Sequence, residues 1–224
     1  MADAKAFSIT KLITVPALIT LGVTFLRLMG ELKHWPTPWF SPVAGGGGAL
    51  VGISWLPIIF GPYFAMKLAG AGSGPASSSK AIGWALGSLL ILVVGGVIFG
   101  LTINHPGFLT ALALLLMLGS AFVPGLGWRS LGTTLLGYAF AARLPVLIVM
   151  YFAITGNGGA GWGTHYDRVA PALANFSPMQ KFFYAGVLPQ MTLWIGWTVA
   201  VGAIFGTIVA AVALRGKQPA PAGA

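Results

Sequence analysis

The chain contains no cysteine. That excludes disulfides, thiolate metal sites, cysteine-ligated iron–sulfur clusters, covalent c-type haem and thiol catalysis. Acid is almost as scarce: Asp3, Glu31 and Asp167 are the only acidic side chains in 224 residues. Charged residues make up 7% of the sequence, whereas a soluble domain carries roughly 25%. A water-exposed globule of this size would lack the polar surface to cover itself. Nucleophile elbow, Walker loop, HExxH and paired-carboxylate motifs are also missing, so no catalytic class is signalled.

What is present is apolar. Hydrophobic residues reach 57% and fall in long blocks, which makes lipid the fitting solvent. The pattern predicts an all-α, polytopic transmembrane helical bundle of about six spans. They cover approximately residues 9–29, 49–69, 81–103, 108–123, 131–155 and 190–214. Span two is interrupted by Pro57 and Pro62, and span five by Pro145. The first block is longer than the h-region of a signal peptide and is followed by no small-x-small cleavage site, so it is read as a retained span. Before the last span, Ser177, Pro178 and Gln180 form a Ser-x-x-Gln capping box with proline in the first turn. That start predicts an interfacial helix running to about Leu188, with Pro189 as the break. Residues 1–214 then form one membrane domain, and 215–224 a disordered cytoplasmic tail.

Twelve Lys and Arg give a formal charge of +9. They are scattered singly near the ends of the blocks, where they snorkel to headgroups, and no basic face tracks phosphates. The expected partner is therefore the lipid bilayer, with a homo-oligomer or the subunits of a larger complex beside it, and not nucleic acid. With six spans the termini share one side. Lys5, Lys11, Lys67, Lys80, Arg129, Arg215 and Lys217 fall there, against Arg27, Lys33, Arg168 and Lys181 opposite. The positive-inside rule then puts both termini in the cytoplasm, in a bacterial cytoplasmic membrane. Trp35, Trp39, Trp128 and Trp162 flank the spans as interface anchors.

Arg143 is the sharpest functional signal, because it falls near the middle of span five. A central Arg costs roughly 2.5–3.5 kcal/mol on insertion scales and marks a ligand or ion site by default. The competing reading is an Arg held by carbonyls freed at Pro145. Tyr138 and Tyr151, on the same span, are candidate hydroxyl-bearing ligand contacts. On the first span, Thr10, Thr14, Thr20, Thr24, Arg27 and Glu31 share one face, and Arg27 and Glu31 are spaced to pair. That stripe either lines a pathway or packs against a neighbour. His34, His105 and His165 lie in loops on one side of the six-span topology, so a divalent metal is a candidate, although no H-x-x-x-H spacing supports it.

Gly83/Gly87, Gly96/Gly100 and Gly202/Gly206/Ala210 follow small-xxx-small spacing and predict close helix partners for spans three and six. Leu56-Pro57 with Tyr63-Phe64-Ala65 is echoed by Leu144-Pro145 with Tyr151-Phe152-Ala153. If the echo is a duplication, the halves are inverted repeats, as in many transporters. Three function classes fit. The first is a small-solute transporter or channel with a midplane Arg site. The second is a non-catalytic subunit or assembly factor of a membrane complex. The third is an extracytoplasmic-facing membrane enzyme using the loop histidines with Glu31 and Asp167. The absence of cysteine makes the topology easy to test. Single cysteines at Ser78 and Gly159 are expected to react with an impermeant maleimide from opposite sides of the membrane, and labelling from the same side rules out six spans.

Overall fold

The structure, a computed structural model, describes residues 8–46 and 48–215. Asp3, Lys5, Lys217 and the expected tail beyond Arg215 lie outside the described residues. Helix α1, Ile9–Leu32, begins where the Ser8 hydroxyl accepts from the Lys11 amide, and it continues through Pro16. A long loop leads to α2, Leu56–Gly70, which opens with Pro57 in its first turn. Then come α3, Ser78–Thr102, capped by Ser77, and α4, Phe108–Ser120. The single turn α5, Pro124–Gly127, precedes α6, Arg129–Thr155. After a glycine-rich loop, α7, Pro178–Lys181, passes into a π-helical turn over Phe182–Val187, then α8, Leu188–Met191, and α9, Leu193–Ala213. The Ser177–Gln180 capping box forms as its sequence predicts.

Five helical stretches are long and apolar enough to cross a membrane, and α2 is a sixth, shorter apolar helix. The chain is a transmembrane helical bundle. Its outer faces agree with that: Leu101 is 78% and Phe108 80% exposed, a degree of apolar display that lipid accepts and water does not.

Three expectations about helix starts and proline breaks need correction. Span two does not start near residue 49; residues 49–55 form turns, and the helix begins at Leu56. Proline fits a first helical turn because its missing N–H is an orphan there anyway. The resulting 15-residue helix spans roughly 22 Å, less than the roughly 30 Å hydrocarbon core. Span five is not broken at Pro145, since α6 runs through it. The last stretch bends at Thr192 (φ −111°, ψ −78°), three residues beyond Pro189. The π turn just before Pro189 widens the helix locally, which absorbs the proline without a break at that position.

Helix α9 is the centre of the bundle. It packs against α2, α3, α4 and α6, while α1 lies against α6 and α4 against α3. Contact between α2 and α9 is backbone to backbone. A Cβ on Gly61 would run into the Gly202 carbonyl, and one on Gly206 would sit 2.8 Å from the Gly61 oxygen. The small-residue motif of α9 thus has its partner inside the chain. That of α3 does not: Gly83, Gly87, Gly96 and Gly100 face open space, and it is Gly95 that meets α4, where an added Cβ would sit 3.0 Å from the Ala113 oxygen. Trp128 is also not an interface anchor. It is buried, and its indole donates to the Ser73 carbonyl at 2.7 Å, tying the start of α6 to the loop before α3. Nor do the two echoed stretches play equivalent parts. Pro57 starts α2 where Pro145 lies inside α6, and Phe64 is fully buried where Phe152 is 55% exposed.

Gly61→Val forces α2 away from α9 and is expected to destabilise the fold by about 1–3 kcal/mol or more. Gly96→Ala, facing open space, is expected to leave stability unchanged. Thermal denaturation in detergent compares the two.

Candidate functional site

Arg143 lies roughly midway along α6 and is 4% exposed. It lines a cavity of about 280 Å³. One wall is Val23, Thr24 and Arg27 of α1, and another is the turn before α2, with Ile53 and Ser54. Val146 and Met150 continue the α6 wall, and Pro189, Gln190, Leu193 and Trp194 supply the side formed by α8 and α9. Arg168, exposed, and His165 stand at the loop end.

The guanidinium of Arg143 is thinly held. Nη1 donates to Gln190 Oε1 at 3.5 Å and Nη2 to Thr198 Oγ1 at 3.3 Å, both at the long end of hydrogen bonding. Nε has no partner. Its Cζ sits 4.9 Å from the Trp194 ring centroid, a cation–π contact worth about 0.5–2 kcal/mol. No carboxylate pairs with it among the described residues. The carbonyls freed at Pro145, the alternative holder raised by the sequence, take no hydrogen bond from it.

The two described acids are fully committed elsewhere. Glu31, with no exposed side-chain surface, accepts from Arg27 Nε at 2.8 Å. It also meets His165 Nδ1 at 2.6 Å and accepts from the His165 amide at 2.7 Å. Arg27 completes its own set on the carbonyls of Gly46 (3.0 Å) and Ser41 (3.1 Å). This triad is a clamp: it fastens the loop before α2 and the loop after α6 onto the end of α1. Asp167 accepts from the amides of Trp162, Gly163 and Thr164 and from the Thr164 hydroxyl, holding its own loop. Positive φ at Gly161 (79°) and Gly163 (75°) lets that loop curl around the carboxylate.

The structure therefore brings Arg143, Arg27 and His165 to one cavity, with Glu31 behind them. It leaves Tyr138 and Tyr151 outside the cavity lining. Tyr138 is buried against Phe60 and Phe64, with its hydroxyl 2.8 Å from Thr20 Oγ1. Tyr151 is part-exposed beside Phe152 and Phe182. In the polar stripe of α1, the hydroxyls of Thr14, Thr20 and Thr24 bond back to carbonyls of their own helix. The metal reading is corrected: among the described residues no three metal-ligating side chains gather. His34 is exposed beyond α1, which packs on α6, and His105 is exposed in the turn joining α3 to α4, which pack on α9. His165 spends Nδ1 on Glu31.

Gln190, Thr198, Trp194 and Tyr166 were not legible as site residues. Gln190 and Thr198 are polar positions inside an otherwise apolar run, which is the signal that would have found them. Tyr166 reaches back from its loop to donate to the Thr24 carbonyl at 3.2 Å, something no local spacing encodes. Comparison with protein-family models, with curated proteins and with solved structures finds no match to this chain.

The clamp carries a pH dependence. Burial pushes the His165 imidazole below its ordinary value of 6.5, and the nearby Arg27 pushes the same way, against the opposing pull of Glu31 and Asp167. The released loop therefore takes up a proton before the closed one does. Stability is present above about pH 6.5 and declines as pH falls from there toward the lowered folded value. A melting temperature that falls between pH 7 and pH 5 in the wild type, and falls less in His165→Gln, is the expected result.

Proposed function

We propose that this protein is a small-solute transporter or channel that binds an anion at Arg143, about midway across the bilayer. One observation carries the reading: a buried guanidinium with a free Nε and no acid partner lines a cavity. In a site with little water, such a cation is costly unless something anionic completes it. Arg168, exposed at the loop end of the cavity, adds a positive potential that draws anions toward the mouth. The wall around α8 also has irregular backbone. Ala185 of the π turn, Pro189, and Gln190 just before the bend at Thr192 all line the cavity. Irregular backbone inside a membrane is tolerated where it borders a cavity, and transporters use it to bind and to gate.

The orientation that goes with this reading has both termini in the cytoplasm of a bacterial cell, so the cavity opens outward. An extracytoplasmic enzyme is disfavoured, because Glu31, Asp167 and His165 are bound into loop clamps. A subunit role keeps one supporting observation, the open glycine face of α3, which fits a helix from a second copy or another protein.

Proteoliposomes containing only this chain provide the test. They are expected to take up small organic anions against a cation-flux control. Arg143→Leu is expected to cut that flux at least tenfold, and Arg143→Lys to retain part of it because charge survives without the planar fork. Absence of anion flux, or flux indifferent to position 143, overturns the reading.

A further inference from the structure

Resting on the anion reading of Arg143, we infer that the cavity is built for a monocarboxylate with a compact apolar body. Four features of the site point to this class. The first is the donor geometry. A guanidinium has five N–H donors, and Arg143 uses one on Nη1 and one on Nη2. Nε–H is buried without a partner, and Nε–H with a hydrogen of Nη2 is the side-on pair that an Arg offers to a carboxylate. Two parallel N–H groups match the two oxygens of a carboxylate, and they match a spherical halide poorly.

The second feature is Gln190. Its Oε1 accepts from Arg143, which fixes the orientation of the amide. Its Nε2 then faces only Met150 Sδ at 3.7 Å, a weak acceptor for a buried amide donor. An anion seated on the fork supplies a better acceptor, so Gln190 becomes a second binding group beside Arg143.

The third feature is charge. Arg27 is neutralised by Glu31, which leaves Arg143 as the cavity's one buried cation without an acid. One buried positive charge balances one negative charge; a dianion would carry an uncompensated charge into the bundle. Fourth, Val23, Ile53, Val146, Met150 and Leu193 form an apolar part of the lining, beside polar groups that include Ser54, Tyr166 and Arg168. A hydrocarbon body gains by burial against those apolar side chains, whereas sulfate or phosphate would leave oxygens facing them. The volume of about 280 Å³ holds roughly nine water-sized groups at about 30 Å³ each. That matches a branched short-chain acid or a single aromatic ring, and a long acyl chain would have to extend out of it.

The test is thermal stability of the full-length protein in detergent, titrated with benzoate, 3-methylbutanoate, succinate, decanoate, sulfate and nitrate at constant ionic strength. Benzoate and 3-methylbutanoate are expected to raise the melting temperature saturably, with apparent affinity at least tenfold tighter than sulfate, nitrate or succinate. Arg143→Leu is expected to abolish the shift, and Gln190→Leu to weaken it. The ligand comparison is made on the unaltered chain, so it holds whether or not the variants fold. Sulfate or nitrate binding as tightly as benzoate overturns the monocarboxylate class and leaves an anion site at Arg143. Succinate or decanoate binding more tightly overturns the single charge or the size limit. No shift with any anion overturns this inference and the anion reading together.

Discussion

A guanidinium in the middle of an apolar bundle must be answered by something, and here the protein answers it only in part. Arg143 has an amide oxygen and a hydroxyl at long distances, an indole face, and a free Nε. Everything arranged around the cavity bears on that residue. Helix α9 is held tightly enough against α2, through Gly61, Gly202 and Gly206, to bring Trp194 and Thr198 into reach of α6. The π turn and the bend at Thr192 set Gln190 at the same point.

Arg27 shows what full satisfaction looks like in the same molecule. It pairs at 2.8 Å with the Glu31 carboxylate about one helix turn along α1, and it also holds two loop carbonyls. A buried Arg with an acid and two carbonyls fixes structure: it joins α1 to the loop before α2. A buried Arg without an acid leaves binding capacity unused. The contrast between the two residues is therefore more informative than the burial of either one alone.

Much of the fold was legible in the sequence because lipid solvation imposes long apolar blocks. The extents of α1, α3 and α6 follow from those blocks, and the start of α7 follows from Ser177, Pro178 and Gln180. Proline was the poorest guide. Pro57 begins a helix, Pro145 is carried within one, and the bend expected at Pro189 falls at Thr192, since neighbouring packing and a π turn decide where a missing N–H is tolerated. Arg143 stood out from its depth alone. Its partners did not, because Gln190 and Thr198 come from α8 and α9, 47 and 55 residues away in the chain. The pairing of Arg27 with Glu31 was readable from i, i+4 spacing, but the histidine that completes it arrives from a loop 134 residues on. Loop residues with long-range partners leave no periodic trace, and this is why three scattered histidines suggested a metal that the fold does not assemble.

The central claim is that Arg143 is kept for a ligand and not for the fold. The most direct measurement is the unfolding temperature of Arg143→Leu against wild type, in detergent and buffer free of organic anions. Removing an uncompensated buried charge is expected to leave stability unchanged or to raise it. A variant that inserts but melts well below wild type would show that the guanidinium serves the structure, and would contradict the account.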